Sequence, residues 1–296
     1  MGGIFGTMDA RLHDLFRPVQ ANGRVSTYIY EEKGPSPALK PYVCCYWQSE
    51  PRGSSGAQLL LRPDAVDRVL PDGCTDIIFT ENLKTGEMDV RYCGTFQQAF
   101  SISYTEGSPM RKFGIRFMPG GAYPFLRTAL SEFHDQAVAA GQIGPVIGGE
   151  TEERVREARS FGERIGAVEA CLMRQLSDKG TDGDNRMKNV LYRVFISGGG
   201  ETVSELARSE TVSTRQLHRS FNQWVGLSPK KFAEVVRFQR LLRDIQAGSV
   251  TDWAAAAAER GFFDQAHMIR EFKRFYGASP IKAAAEYRGM SDLSYL

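Results

Sequence analysis

The nine residues "FKRFYGASP", Phe272 to Pro280, repeat an ending already used at Phe221 to Pro229, "FNQWVGLSP". Both run Phe, two polar residues, an aromatic, Val or Tyr, and then Gly-x-Ser-Pro, 51 positions apart. A chain that writes the same helix ending twice has duplicated a small supersecondary unit. That constrains the C-terminal third more tightly than any compositional property does.

Alignment of the two endings brings longer segments into register. "LHRSFNQWVGLSPKKF" faces "MIREFKRFYGASPIKA", so Arg219 matches Arg270 and Phe221 matches Phe272. Upstream the offset falls to 50, pairing Thr202 with Asp252 and Ala207 with Ala257. Each copy then reads as helix, short turn, helix. In the first copy, Thr202 with Glu205 and Ser213 with Gln216 form two capping boxes. Leu217 and Phe221 share one face at i and i+4, leaving Arg215, His218, Arg219 and Asn222 elsewhere. In the second, Asp252 caps "WAAAAA", Gly261 ends that helix where a positive φ is expected, and Asp264 caps "QAHMIREF". Met268 and Phe272 are the apolar pair, with Gln265, Ala266, His267 and Arg270 facing outward. The run Ala254 to Ala258 reads as helix packing, and Trp224, Phe262, Phe263 and Phe275 read as core. Between the copies, Ser228 to Gly248 carries apolar residues at a helical period. At about 1.5 Å per residue that linker helix spans roughly 20–30 Å. Two recognition helices held so far apart suit successive major grooves, about 34 Å apart on one face of DNA.

Charge agrees with this placement. From Asp184 onward there are 17 Lys and Arg against 12 Asp and Glu, a net of +5, whereas residues 1–183 carry 20 against 23, a net of −3. A basic back and a mildly acidic front fit nucleic-acid contact in the C-terminal part alone. The first residues lack the basic start and apolar stretch of a secretory signal, and Gly6 stands where a myristoylation pattern wants Ser or Thr. No apolar run approaches the roughly 18 residues of a membrane span. The five cysteines are odd in number and without metal-type spacing, which suits a reducing cytoplasm.

The first 120 or so residues read as short strands, in "STYIYEE", "YVCCYWQS", "DRVLPDGCTDIIFT" and "RKFGIRFM", punctuated by Gly, Pro and Asp. Such a pattern suggests a barrel or sandwich enclosing a pocket. From about Glu150, Ile165, Val168, Leu172 and Leu176 mark a helix, and the polar "SDKGTDGDN" reads as a linker. The expected domains are a β-rich part over 1–150, a helical connector over 151–183 and a two-unit helical domain over 184–296.

The motifs "VSELARSETVSTRQLHRSFNQWVGLSPKKF", "RFQRLLRDIQAG" and "ERGFFDQAHMIREFKRFYGASP" resemble the DNA-binding domain of AraC/XylS-type bacterial transcription regulators. "LPDGCTDIIF" and "FGIRFMPGGAYPFL" resemble the N-terminal domains of a largely uncharacterised group of them. The resemblance implies an α+β multidomain protein, with a cupin-like β-rich barrel for sensing or dimerisation. Behind it would lie seven helices holding two helix-turn-helix units. It implies base contacts from Arg215, His218 and Arg219 in the first recognition helix and from Gln265, Ala266, His267 and Arg270 in the second. Ser213, Lys230, Lys231, Lys273 and Arg274 are the candidates for phosphate. The implied partners are a double-stranded DNA operator, a small-molecule effector and RNA polymerase, with the protein a monomer or homodimer, cytoplasmic, and not an enzyme.

The implied effector site is in the front domain. Tyr42, Tyr46, Trp47 and Cys74 are its candidate lining, with plain strand alternation as the other reading of the aromatics. His13 and His134 are the only front-domain histidines, so neither a metal nor another cofactor is expected. Asp72 and Asp76 have no evident acid–base partner, and turn chemistry accounts for Asp72. Cys44, Cys45, Cys74 and Cys93 read as small buried residues before they read as a thiol sensor. Two rival readings stand beside the regulator: a cupin-like enzyme fused to a DNA-binding domain, and a regulator whose front domain only dimerises. One position departs from the family pattern. Thr211 stands in the first turn where members often have Gly, and a β-branched residue disfavours positive φ. A strained turn or a differently shaped one is the expectation there.

Overall fold

A computed structural model describes residues 12–20, 28–52, 67–102, 109–143, 147–179 and 185–291. The β-branched and aromatic runs of the front become strands β1 (Tyr28–Lys33), β2 (Val43–Pro51), β3 (Asp67–Val69), β4 (Thr75–Asn82), β5 (Met88–Cys93), β6 (Phe100–Ile102), β7 (Met110–Phe117) and β8 (Ala137–Ala139). Six of them form one antiparallel sheet in the order β1-β2-β7-β4-β5-β8, and β3 pairs with β6. Among the described residues the strands thus make an open sheet and a short ribbon. The expected α+β architecture is present, but among the described residues no pairing between β1 and β8 closes the sheet into a ring.

Period-two alternation gives the sheet two different faces. Tyr46, Ile77, Phe79, Phe113 and Ile115 are buried on one of them. Over that face lie helices α1 (Gly149–Glu157) and α2 (Phe161–Lys179), which contribute Val155, Phe161, Val168 and Leu172 to the same core. The connector expected over 151–183 is therefore, for most of its length, the helical layer of the front domain. Its apolar stripe needs a surface to cover it, and the sheet supplies one. The last part of the expected linker, residues 180–184, lies outside the described residues.

Seven helices follow: α3 (Asn185–Ile196), α4 (Val203–Ser209), α5 (Thr214–Trp224), α6 (Pro229–Gln246), α7 (Trp253–Glu259), α8 (Gln265–Tyr276) and α9 (Pro280–Ser291). Ser228 caps α6 and Pro229 occupies its first turn, where a missing N–H costs nothing. The core of these helices runs on into the front of the chain. Leu12, Phe16, Val19, Leu70, Cys74 and Met118 belong to the same buried cluster as Leu191, Phe195 and Phe232. Phe16 stacks on Phe195 with ring centroids 4.6 Å apart.

Several contacts fasten the front to α6, Arg243 Nη2 donating to Arg17 O at 2.6 Å among them, and two are buried. Gly73, in the turn Pro71-Asp72-Gly73, has φ 75°, and a β-carbon there would lie 2.7 Å from the Phe232 ring. The glycine is thus required both by the turn and by the approach of the helix. The side chain of Gln239, only 1% exposed, accepts from Val19 N at 2.7 Å and donates to Pro71 O at 2.8 Å and Val19 O at 3.3 Å. A buried amide that left these groups unpaired would cost about 1–3 kcal/mol for each.

Candidate functional site

The two helix-turn-helix units repeat in geometry as they do in sequence. Both capping boxes of the first unit form. Glu205 N donates to Thr202 Oγ1 at 3.2 Å while Thr202 N donates back to Glu205 at 2.7 Å, and Ser213 and Gln216 reciprocate at 3.2 and 2.9 Å. The hydrogen bonds hold the Glu205 carboxyl below the usual carboxylate range. In the second unit Asp252 accepts from Ala254 N at 2.8 Å and Asp264 from His267 N at 2.6 Å.

The turns between helices match bond for bond. Thr211 N donates to Arg208 O at 3.1 Å and Val212 N to Ala207 O at 3.0 Å. Their counterparts are Gly261 N to Ala258 O at 3.2 Å and Phe262 N to Ala257 O at 3.0 Å. Thr211 has φ 55° and Gly261 has φ 73°. The departure at Thr211 is therefore absorbed as backbone strain, roughly 1–2 kcal/mol for an L-residue in the left-handed region, and not as a different turn. Ala207 and Ala257 are both buried where the paired helices cross.

α5 and α8 bury Leu217 with Phe221 and Met268 with Phe272, as their spacing requires. On the opposite face, Arg215, Arg219, Gln265, Ala266 and Arg270 are exposed and His218 is half-buried. Among the described residues, Arg215, Arg219 and Arg270 have no hydrogen bond or ion pair within the chain. His267 differs: its ring is half-buried, Nδ1 accepts from Phe263 N at 3.3 Å, and Nε2 lies 3.6 Å from Glu271. Glu271, only 5% exposed, is bound through both carboxylate oxygens by Arg237 at 3.1 Å.

The candidate phosphate contacts also divide. Lys230 and Lys273 are exposed, with no ion pair among the described residues. Lys231 and Arg274 instead share Glu234, at 3.3 and 2.7 Å, and the Arg274 guanidinium lies over the Phe275 ring. Ser213 spends its hydroxyl on Gln216. One aromatic expectation fails. Phe262 and Phe275 are core and Trp224 packs on Tyr123, but Phe263 is 91% exposed. The adjacent pair Phe262-Phe263 straddles the turn into α8, so only one ring turns inward. Sequence reasoning grouped both with the core because nothing local marks which ring that is.

The outer face of the sheet, away from α1 and α2, floors a cavity of about 400 Å³ that the β3–β6 ribbon borders. Trp47 and Cys74 line it. Tyr42 and Tyr46 do not: Tyr46 points to the opposite face and stacks on Phe113, and Tyr42 packs edge-on against Phe125 in the core. Burial pushes the Cys74 and Cys93 thiols up to about 12, so both stay protonated at neutral pH, against the needs of a thiolate sensor. Burial likewise raises the Asp72 carboxyl, whose oxygens accept from Cys74 N at 2.8 Å and Gln20 Nε2 at 2.6 Å.

Comparison with known proteins finds a match in each part of the chain. Residues 206–286 match the family model of a helix-turn-helix domain, and residues 31–139 match a domain of unknown function, DUF6597. An uncharacterised HTH-type transcriptional regulator of Haemophilus influenzae is 35% identical over 101 residues, 33% of this chain and 33% of its own. A probable thc operon regulatory protein of Rhodococcus erythropolis is 30% identical over 81 residues, 27% of this chain and 24% of its own. The chain thus spans about a third or less of the curated relatives it matches. Among solved structures, ToxT from Vibrio cholerae aligns over 74% of this chain and 96% of its own, at 10% identity and a TM-score of 0.39.

Proposed function

We propose that this chain, whose residues 206–286 are an AraC-type helix-turn-helix domain, is a sequence-specific transcription regulator. It would insert α5 and α8 into successive major grooves of a double-stranded operator. The observation that carries the reading is the doubled unit itself. Two turns with the same hydrogen bonds present two helices with an unpaired arginine, Arg219 and Arg270, at the same place. Arginine bonds guanine O6 and N7 through two parallel donors, so each is the main base reader of its helix. Arg215 and His218 flank Arg219, and Gln265 and Ala266 flank Arg270. His267 reads a base only by giving up its contact with Glu271. Lys230 and Lys273 meet phosphate directly, whereas Lys231 and Arg274 would first release Glu234, and Ser213 would first release Gln216.

One polypeptide supplies both readers, so a monomer suffices for two grooves, and a front-domain dimer would double the site. The cavity on the outer face of the sheet supports control by a small molecule, and RNA polymerase is the partner that a bound regulator would meet. No helix among the described residues is long and apolar enough to cross a membrane. Selection of bound sequences from a random DNA pool, followed by footprinting, tests the reading. Protection of two adjacent major-groove segments on one face of the duplex is expected. Protection of a single groove segment, or no enriched sequence, refutes two-unit docking.

A further inference from the structure

The strand register turns the cavity floor into a grid. In the deepest row Arg116 on β7 has Asp76 and then Cys93 on one side and Cys45 on the other, where Cys45 and Arg116 line a neighbouring cavity. In the next, Trp47, Gly114, Ile78 and Arg91 follow one another across four strands. In the outermost, Lys112 faces Thr80. A β-carbon on Gly114 would lie 2.1 Å from the Trp47 indole, so the ring lies flat over this strand. Trp47 Nε1 donates to Asp76 Oδ1 at 2.7 Å, which fixes the ring in place. Val69, Phe100 and Ile102 of the ribbon supply an apolar wall. The middle of the cavity is thus a slot with a rigid aromatic floor.

Its deep end holds an unused fork of donors. Arg116 has 5% of its side chain exposed and meets Asp76 through Nε alone, at 3.3 and 3.4 Å from the two carboxylate oxygens. Among the described residues its two Nη atoms donate no hydrogen bond. Both Nη atoms stay within reach of solvent, so an acceptor that enters can bond them in place of water. The lining also carries Arg91, Lys112 and Arg116 beside Asp72 and Asp76, and Arg91 is itself paired with Asp89 at 2.6 Å.

The geometry points to an effector site for a planar, largely apolar monocarboxylate. Its ring would lie over the Trp47 indole and Ile78, and its carboxylate would accept from the Arg116 Nη atoms. A volume of about 400 Å³ falls at the small end of small-molecule sites, which run from roughly 300 to 1,000 Å³. The site also has a route outward. Gln20, Leu70, Pro71 and Asp72 wall the cavity, and the Pro71 carbonyl is the one that Gln239 of α6 holds. Gln20 ties the wall together, bonding Leu70 N at 2.8 Å, Leu70 O at 2.9 Å and Asp72 at 2.6 Å. An occupant that shifts this wall shifts the helix between the two DNA readers. That consequence rests on the regulator reading; the binding site does not.

Calorimetric titration of the full chain, without DNA, with 2-naphthoate and with uncharged 2-naphthylmethanol tests the site. Saturable binding of 2-naphthoate is expected, with the alcohol weaker by about tenfold or more for the loss of a charged hydrogen-bonding pair. Ile78→Trp, which fills the slot from the floor, should abolish binding of both. Arg116→Lys, which keeps the charge and loses the planar fork, should weaken the carboxylate about tenfold and leave the alcohol unchanged. Folding of each variant is checked by its thermal transition, and Lys112→Met, at a half-exposed position, gives a second charge variant that should weaken only 2-naphthoate. No saturable binding, equal affinity for both compounds, or binding that survives Ile78→Trp would overturn the assignment. Because the titration contains no DNA, failure of the operator selection leaves its result standing, and the reverse holds too.

Discussion

Thr211→Gly isolates the strain in the first helix-turn-helix turn. Thr211 is exposed and, within the C-terminal helices, is the only non-glycine residue with positive φ among those described. Its side chain makes no hydrogen bond there, so the substitution removes little but the backbone penalty, roughly 1–2 kcal/mol. Against this, glycine loosens the unfolded chain at a cost of about 0.4–1 kcal/mol. The balance is a gain of about 0.5–1 kcal/mol, which for a chain of this size raises Tm by roughly 2 °C. The reciprocal change, Gly261→Thr, runs the comparison backwards. Gly261 has φ 73°, and a β-carbon there would touch nothing within 4 Å, so only backbone strain opposes it. A loss of about 0.5–1 kcal/mol is expected from the same two terms. Thermal melts together with urea titrations at unchanged m value measure both. A Thr211→Gly protein that melts lower, or a Gly261→Thr protein that melts no lower, would show that the side chains and not the backbone govern these turns.

Arg219→Ala and Arg270→Ala should each weaken operator binding by about 1–3 kcal/mol and relax preference at one base position; unchanged affinity and preference in a binding assay would remove that arginine from the interface. Phe263→Ser should alter stability by no more than about 0.5 kcal/mol, since the ring is solvated, and gel-shift titration should show weaker DNA binding if the ring meets the duplex beside α8. Phe232→Ala should cost about 3–5 kcal/mol, because the ring fills the space left by Gly73 as well as the helical core, and calorimetry should record it in both parts of the chain. The depressed Glu205 carboxyl gives a pH dependence of definite sign. Its contribution is present above the ordinary Glu range, near pH 4.5, and is lost as pH falls through the lower folded value. Glu205→Gln should flatten that part of an acid-stability curve.

The helical third was legible because its signals are local. Capping boxes, i and i+4 apolar pairs and a Gly-x-Ser-Pro ending each act within a few residues, and their repetition doubles the information. The front domain is governed by contacts far apart in sequence. Tyr46 and Trp47 are adjacent and alike in composition, yet one is core and the other floors the cavity. Which face α1 and α2 cover decides their fates, and no neighbour of either residue encodes it. The same holds for Arg116 and Asp76, 40 positions apart and joined only by strand register. Phe262 and Phe263 repeat the problem in miniature, since a turn chose between them. The stripe over Ile165 to Leu176 was visible, but not that its partner was the sheet behind it.

The seam between the two halves bears on how far this protein can be taken apart. Phe16 against Phe195, Phe232 over Gly73 and the grip of Gln239 on Val19 and Pro71 place the linker helix inside a core that the front domain completes. An expressed fragment of the helical third alone would display an oily scar where Leu191, Phe195 and Phe232 had been covered, and such a patch favours aggregation. A chimera that grafts a foreign sensor onto these helices would meet the same difficulty unless it carried residues 12–20 and 70–74 along. The reader of DNA and its overseer are, in this chain, heirlooms that have to be inherited together.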